Sequence, residues 1–425
     1  MTAPLARTLS VTLALILLAI PAHTAEDLPT AEPEAVGLSG TRLDRLTEAM
    51  EAYVDDGALA GAVVMVARRG RVAYHRAFGQ RDLESAAPMG TDAIFRIASQ
   101  TKAIVSTGVM LLQEDGKLLI SDPVGRYLPA FERTTVAQTR DRGGYDVVAA
   151  RGPVTIRQLL THTSGVSYGN GPASDQWEAA GIQGWYFADR DEPVRATIDR
   201  LAALPFDTHP GEAWVYGYNT DILGALIEAV SGMPLDRFLQ TRIFDPLGME
   251  DTHFYLPDQK RGRLATVYSS TDGGLERAPD PGHMVGQGAY VEGPRTSFSG
   301  GAGLLSTATD YTRFLQMMLN GGELEGIRLL SRKTVELMTT NHLTPEQGFR
   351  AGQGFGLGFS VVEDVGARGL PGSKGEYGWG GAYHSTYWVD PAEELVVVYL
   401  TQLIPARGLD DHGKLRALIY QAIED

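Results

Sequence analysis

The chain contains no cysteine. That excludes disulfide staples, thiolate metal ligands and a cysteine nucleophile together. Positive charge is also scarce: 37 lysines and arginines face 52 aspartates and glutamates, a formal net charge of −15. Such a balance argues against nucleic acid or an anionic membrane surface as a partner. Internal repeats and low-complexity tracts are lacking, and past the N-terminus no segment is long and apolar enough to span a bilayer. What is present is globular in kind, with 43% hydrophobic and 21% charged residues. Fifty glycines foretell many loops and close backbone contacts.

At the N-terminus, Arg7 precedes an apolar run over residues 8–22, TLSVTLALILLAIPA, and AHTAED offers small residues for cleavage after Ala22 or Ala25. Residues 1–25 are therefore predicted to be a signal peptide, and the mature chain to be periplasmic or secreted. The alternative is an uncleaved anchor, but the run falls short of the ~20 residues a spanning helix needs.

Residues 26–425 read as a single domain. Leu43, Leu46, Met50 and Val54 recur at helical spacing, with Ser39 or Thr41 as a possible cap. GAVVMVARRGRVAYHRAFG is two strand-like runs around Arg69-Gly70, a hairpin signal. FGLGFSVVED, GGAYHSTYWVD and ELVVVYLTQ are strand-like too, with a turn at Asp390-Pro391, and an amphipathic helix closes the chain. Strands thus lie at both ends and helical patterns between them, at 101–115, 155–162, 220–231 and 309–320. The expected fold is α+β: one antiparallel sheet built from both termini (about 35–98 and 345–425) and flanked by helices, with a mainly helical lobe (about 99–344) inserted. Long loops near 165–190 and 257–303 are expected to shape a site, with Trp177, Trp185 and Tyr186 as candidate walls.

Between Arg96 and Glu114 the only charge is Lys102, three residues after Ser99 and ahead of Ile104, Val105, Val109, Met110, Leu111 and Leu112. A helix N-cap would account for Ser99, but not for a cation in the first turn, where the helix dipole opposes it. A catalytic reading accounts for both. Positions i and i+3 share a helix face. A serine hydroxyl attacks once a base takes its proton, and burial in apolar surroundings favours the neutral amine that can serve as that base.

Five segments, in order, resemble the serine β-lactamase and penicillin-binding-protein superfamily: FRIASQTKAI (95–104), IRQLLTHTSG (156–165), PGEAWVYGYNTDILGALIEAVSG (210–232), GGAGLLSTATDYTRFLQMMLNGG (300–322) and GWGGAYHSTYWVDP (378–391). The likeness runs over about residues 35–420, and the branch it resembles most is the class-C-like esterases, or family VIII carboxylesterases. The resemblance implies a nucleophile at Ser99, a basic partner at Lys102 and a third catalytic group at Tyr216. Whether Lys102 or Tyr216 is the base stays open. The family's Tyr-x-Asn is not met: Tyr218 stands at the second position and Asn219 one later, which leaves Tyr218 a minor rival and puts any substrate role of Asn219 in doubt. The family's Lys-Thr-Gly strand is here Trp379-Gly380-Gly381. It offers no cation and no hydroxyl, which favours a neutral ester over a β-lactam. The N–H groups of Ser99 and Ala382 are expected to form the oxyanion hole. No metal or cofactor is implied.

GVSYG (165–169) matches the G-x-S-x-G elbow of α/β-hydrolases, but turn-rich residues flank it where a strand and a helix are required, so Ser167 is read as a loop residue. His162 is expected to hydrogen-bond in the interior. His209, His384 and His412 look isolated, and Asp410 and Asp411 look like the last helix's cap. Three functions remain in play: a carboxylesterase or acyl transferase on small-molecule esters, a β-lactamase or D-alanyl-D-alanine carboxypeptidase, and a ligand-sensing module acylated once without turnover.

Overall fold

The computed structural model describes residues 28–425; the predicted signal peptide, 1–25, lies outside them. Among the described residues no helix is long and apolar enough to cross a membrane.

Arg69 and Gly70 take φ of 53° and 72°. Two successive positive φ values make the tight turn that suits a hairpin, and it joins β1 (Gly61–Arg68) to β2 (Arg71–Asp82). A short β3 (Ala87–Pro88) follows. The rest of the sheet comes from the far end of the chain: β4 (Gln353–Phe355), β5 (Ser360–Val362), β6 (Tyr377–Gly380), β7 (Thr386–Asp390) and β8 (Leu395–Thr401). The strand order is β4-β5-β6-β7-β8-β1-β2-β3, with every neighbouring pair antiparallel. The two chain ends meet at β1 and β8, in register from Ala62 opposite Thr401 to Arg68 opposite Leu395. The predicted antiparallel sheet built from both termini is thus what the chain forms.

Both faces of β1 and β8 are buried, so these strands read as unbroken apolar runs rather than alternating ones. On the outer face, Val64, Val66, Val397 and Tyr399 pack with Leu43, Leu46 and Met50 of α1 (Gly40–Asp55), and with Leu415 and Ile419 of the C-terminal helix Asp411–Tyr420. Ser39 does precede α1, but its hydroxyl caps nothing; the Glu34 carboxylate accepts the Gly40 N–H at 2.9 Å instead. On the inner face, Val63, Met65, Val398 and Leu400 join the larger core with α2 (Thr101–Glu114), α3 (Asn219–Ser231) and α4 (Ala308–Leu319). A Cβ on Gly108 of α2 would stand 3.1 Å from Ile227 of α3, so glycine lets these two helices approach closely.

The inserted region is less purely helical than its apolar spacing suggests. Of 155–162 only Ile156–Leu160 is helical, opened by a Thr155–Gln158 capping box. Two hairpins, Thr135–Thr139 with Tyr145–Ala149 and Tyr268–Thr271 with Gly274–Arg277, interrupt stretches read as helical lobe or loop. Gly143 and Gly144 in the first turn and Gly274, which opens the return strand of the second hairpin, take positive φ, a short-range signal that polar strand residues on either side conceal.

Leu400 is fully buried opposite Val63 where the two chain ends meet. Leu400→Ala should cost about 2–5 kcal/mol. It should appear as a lower denaturant midpoint with an unchanged slope.

Candidate active site

Ser99 lies in a single 3-10 turn, Ala98–Gln100, that runs directly into α2. Its side chain makes no capping hydrogen bond, so the helix-cap explanation is not met. Ala98 holds φ at 42°, a conformation uncommon for a residue with a Cβ. Gly381, just past β6, presses on this turn: a Cβ there would stand 2.6 Å from the Ile97 carbonyl oxygen. Glycine at 381 is therefore what lets the end of β6 approach the serine.

Lys102 is 1% exposed. Its Nζ donates to Ser99 Oγ at 3.2 Å, Tyr168 Oη at 3.1 Å and the Gly301 carbonyl at 2.7 Å. It also stands 4.7 Å from the centroid of the Tyr216 ring. Three oxygen atoms thus lie within hydrogen-bond distance of the one amine nitrogen. Behind Gly301 lies Asp221, fully buried, whose Oδ1 accepts from Ser299 Oγ at 2.6 Å and from the Gly301 N–H at 3.0 Å. Burial raises the pKa of this carboxyl, and Lys102 opposes the rise.

Tyr168 was not singled out from sequence, and it makes the direct bond to Lys102. Burial, with Tyr216 and Asp221 nearby, pushes its phenol well above 10, so it meets Lys102 as a neutral hydroxyl. The only local sign was its place beside the false elbow serine; its partner lies 66 residues away in sequence. Tyr216 reaches the site differently. Its ring packs edge-on to Tyr168, and its hydroxyl accepts from Trp379 Nε1 at 3.0 Å, inside the cleft.

Tyr218 and Asn219 do not belong to the cleft. Tyr218 stacks between Trp177 and Phe187, at 5.8 and 5.5 Å, and donates to the Gly184 carbonyl at 2.5 Å. Asn219 accepts from Ser164 Oγ at 2.5 Å and turns its amide nitrogen to His162 Nδ1 at 2.8 Å and the Val215 carbonyl at 3.2 Å. The backbone turns between Tyr216 and α3, so only Tyr216 faces the serine. Gly217 permits the turn, since a Cβ there would lie 2.4 Å from the Val166 carbonyl oxygen.

The cleft above Ser99 holds about 470 Å³ and is walled by Trp379, Gly380, Gly381, Ala382 and Trp185. Of the other two expected walls, Trp177 is a core residue that donates to the Pro205 carbonyl, and Tyr186 is buried with its hydroxyl on the Ala289 N–H. Ser167 is buried outside the cleft, accepts from the Gly169 N–H at 3.1 Å and has neither strand nor helix beside it. His162 is interior, and burial together with Lys102 holds its pKa well below 6.5.

His384 and His412 are not isolated. Their rings stack at 4.2 Å, and His384 Nε2 lies 2.8 Å from Asp411, which also accepts from Tyr399 Oη at 2.7 Å. Asp411 is therefore a buried bond partner rather than a cap, and Asp410 instead takes the Tyr53 hydroxyl and pairs with Lys414. This brace sits behind the loop that carries Gly381 and Ala382, since the His384 N–H donates to the Gly381 carbonyl.

The family model described as Beta-lactamase matches residues 46–421. The chain belongs to this family. It is 36% identical over 388 residues to Protein Rv1367c of Mycobacterium tuberculosis, covering 87% of this chain and 92% of that one. To Esterase EstB of Burkholderia gladioli it is 34% identical over 397 residues, covering 87% and 93%. Among solved structures, EstCE1, described as a hydrolase with promiscuous acyltransferase activity, superposes with a TM-score of 0.78 at 28% identity and covers 89% of this chain and 98% of its own. The family and fold expected from the five segments are therefore present, in the branch that contains esterases.

Tyr218→Phe should lower stability by about 0.5–1.5 kcal/mol through the lost bond to Gly184, while turnover of a model ester stays close to that of the parent. Thermal unfolding and ester kinetics on the same preparation check both halves.

Proposed function

We propose that the protein hydrolyses or transfers the acyl group of carboxylic esters through an acyl-enzyme on Ser99. The observation that carries this reading is the buried Lys102 amine hydrogen-bonded to the Ser99 hydroxyl at the floor of an open cleft. In the proposed first step, Ser99 Oγ bonds to the ester carbonyl carbon as its proton passes to the Lys102–tyrosine group. The N–H groups of Ser99 and Ala382 hold the oxyanion, where loss of one donor typically costs ~10²–10³ in rate. The carbon–oxygen bond to the alcohol then breaks, and the alcohol leaves with a proton delivered through the Tyr216 hydroxyl, which faces the cleft. Water or a second alcohol releases the acyl group by the reverse sequence. Tyr168 is given the task of holding Lys102 toward Ser99, since its hydroxyl accepts from the amine at 3.1 Å. Export of the mature chain stays part of the proposal, on the strength of the N-terminal apolar run.

Ser99→Ala should lower p-nitrophenyl ester turnover by about 10³-fold or more and abolish fluorophosphonate labelling, whereas Ser167→Ala should leave both largely intact. The reverse pattern would restore the elbow reading. Efficient hydrolysis of a chromogenic cephalosporin with feeble ester turnover would overturn the substrate class, and labelling of Ser99 without steady-state turnover would point to a sensor. Tyr216→Phe should cost about 10²-fold or more. Tyr168→Phe should cost less and shift the pH dependence of kcat/KM.

A further inference from the structure

The Trp379-Gly380-Gly381 strand end carries no cation, which on sequence favours a neutral ester. In the folded chain, other segments supply positive charge to the same cleft. Among the charged side chains lining it, three are arginines, Arg350, Arg368 and Arg416, and one is a glutamate, Glu376. Glu376 is 2% exposed and is shared: Arg368 reaches it at 2.8 Å, and Arg416 grips both its oxygens at 2.7 and 2.8 Å. The Tyr420 hydroxyl bridges Glu376 to the buried Asp390, at 2.8 Å from each, so these two guanidinium groups are matched by two carboxylates and the third arginine, Arg350, is left over.

Arg350 is held by rings. Its guanidinium carbon lies 5.3 Å from the centroid of Trp379 and 5.7 Å from that of Phe349. Stacking occupies the flat face of a guanidinium and leaves its N–H edge free to take a carboxylate through two parallel bonds. The same Trp379 indole donates to Tyr216, so one ring links this cation to the reacting centre. In a chain of net charge −15, an exposed arginine on the cleft wall runs against the general composition and attracts anions to that wall.

We infer that the substrate is an ester bearing a second, free carboxylate, of which the half-ester of a dicarboxylic acid is the simplest, and that Arg350 binds that carboxylate. The inference rests on the acyl-enzyme reading and names its substrate class. Ser99 forms the new bond to the ester carbonyl and the alcohol leaves; water then frees the diacid, while the distant carboxylate stays on Arg350 unchanged.

The test compares mono-4-nitrophenyl glutarate with 4-nitrophenyl butyrate. The parent enzyme should favour the anionic ester in kcat/KM, and rising NaCl should erode that preference. Arg350→Gln should lower the anionic-to-neutral ratio roughly tenfold, through KM more than kcat. Arg350→Lys should recover part of it, because it restores the charge without the fork. An unchanged ratio in Arg350→Gln overturns the inference while leaving the acyl-enzyme reading in place. A binding arm separates the two ideas: calorimetric titration of Ser99→Ala with glutaric acid monoanilide should show binding that the added Arg350→Gln change weakens about tenfold. Equal binding by both proteins overturns the inference whether or not any ester is turned over. Failure of the parent to hydrolyse either ester, with Ser99 unlabelled, overturns the acyl-enzyme reading alone.

Discussion

A buried amine with three acceptors organises this molecule. Lys102 sits in a helix whose first twelve residues are all buried, where an unpaired ammonium would be costly. The chain meets that demand with one near group, Ser99 from the same turn, and two from distant segments: Tyr168 from the loop after Ile156–Leu160, and the Gly301 carbonyl from the approach to α4. Asp221 on α3 fastens Gly301 in turn. Stabilising the amine and assembling the nucleophile are therefore one act of folding. An arrangement that merely neutralised a buried charge would have no need to place a serine hydroxyl facing a cleft at one of the three positions.

Besides the Trp379 side chain, the sheet contributes a close backbone approach. Strand β6 ends at Gly380, and Gly381 lies against the Ile97 carbonyl, so the backbone of Ala382 is delivered beside Ser99. The loop that does this is tied down from behind by the stacked His384–His412 pair and Asp411. Although burial raises the Asp411 pKa, the His384 hydrogen bond and the two imidazoles hold it below the usual carboxylate range. A carboxylate bonded to His384 and Tyr399, with His412 bonded to the His384 carbonyl, keeps this backbone segment in position.

Features set by short-range chemistry were legible in the sequence. The Ser99–Lys102 pair is an i, i+3 contact, the Arg69-Gly70 turn is encoded in two residues, and the unbroken apolar runs of β1 and β8 reflect burial on both faces. The sequence misled where direction mattered more than spacing. Tyr216, Tyr218 and Asn219 fall within four residues, yet the turn at Gly217 sends one to the cleft and two to the interior. Tyr168 escaped notice because nothing near it in the chain marks its contact with Lys102. His384 and His412 looked unrelated because 28 residues and two strands separate rings that touch. Trp177 read as a pocket wall because an aromatic in a long loop carries no label for which side of that loop it faces.

The electrostatics of the cleft follow from the same distinction. Reading only the strand end opposite the nucleophile, one finds tryptophan and two glycines and concludes that charge is missing. Yet a field depends on where charges lie in space, not on which segment contributes them. Arg350 enters from the loop before β4, Arg368 from the short helix Val365–Arg368, and Arg416 from the C-terminal helix, and all three line one cleft with a single glutamate among them. Trp379 then has two tasks that a lysine at its position could not combine: its face supports a guanidinium, and its N–H orients the Tyr216 hydroxyl. Positive charge at this wall is therefore carried on the indole, through Arg350 stacked on Trp379, and not on the strand itself.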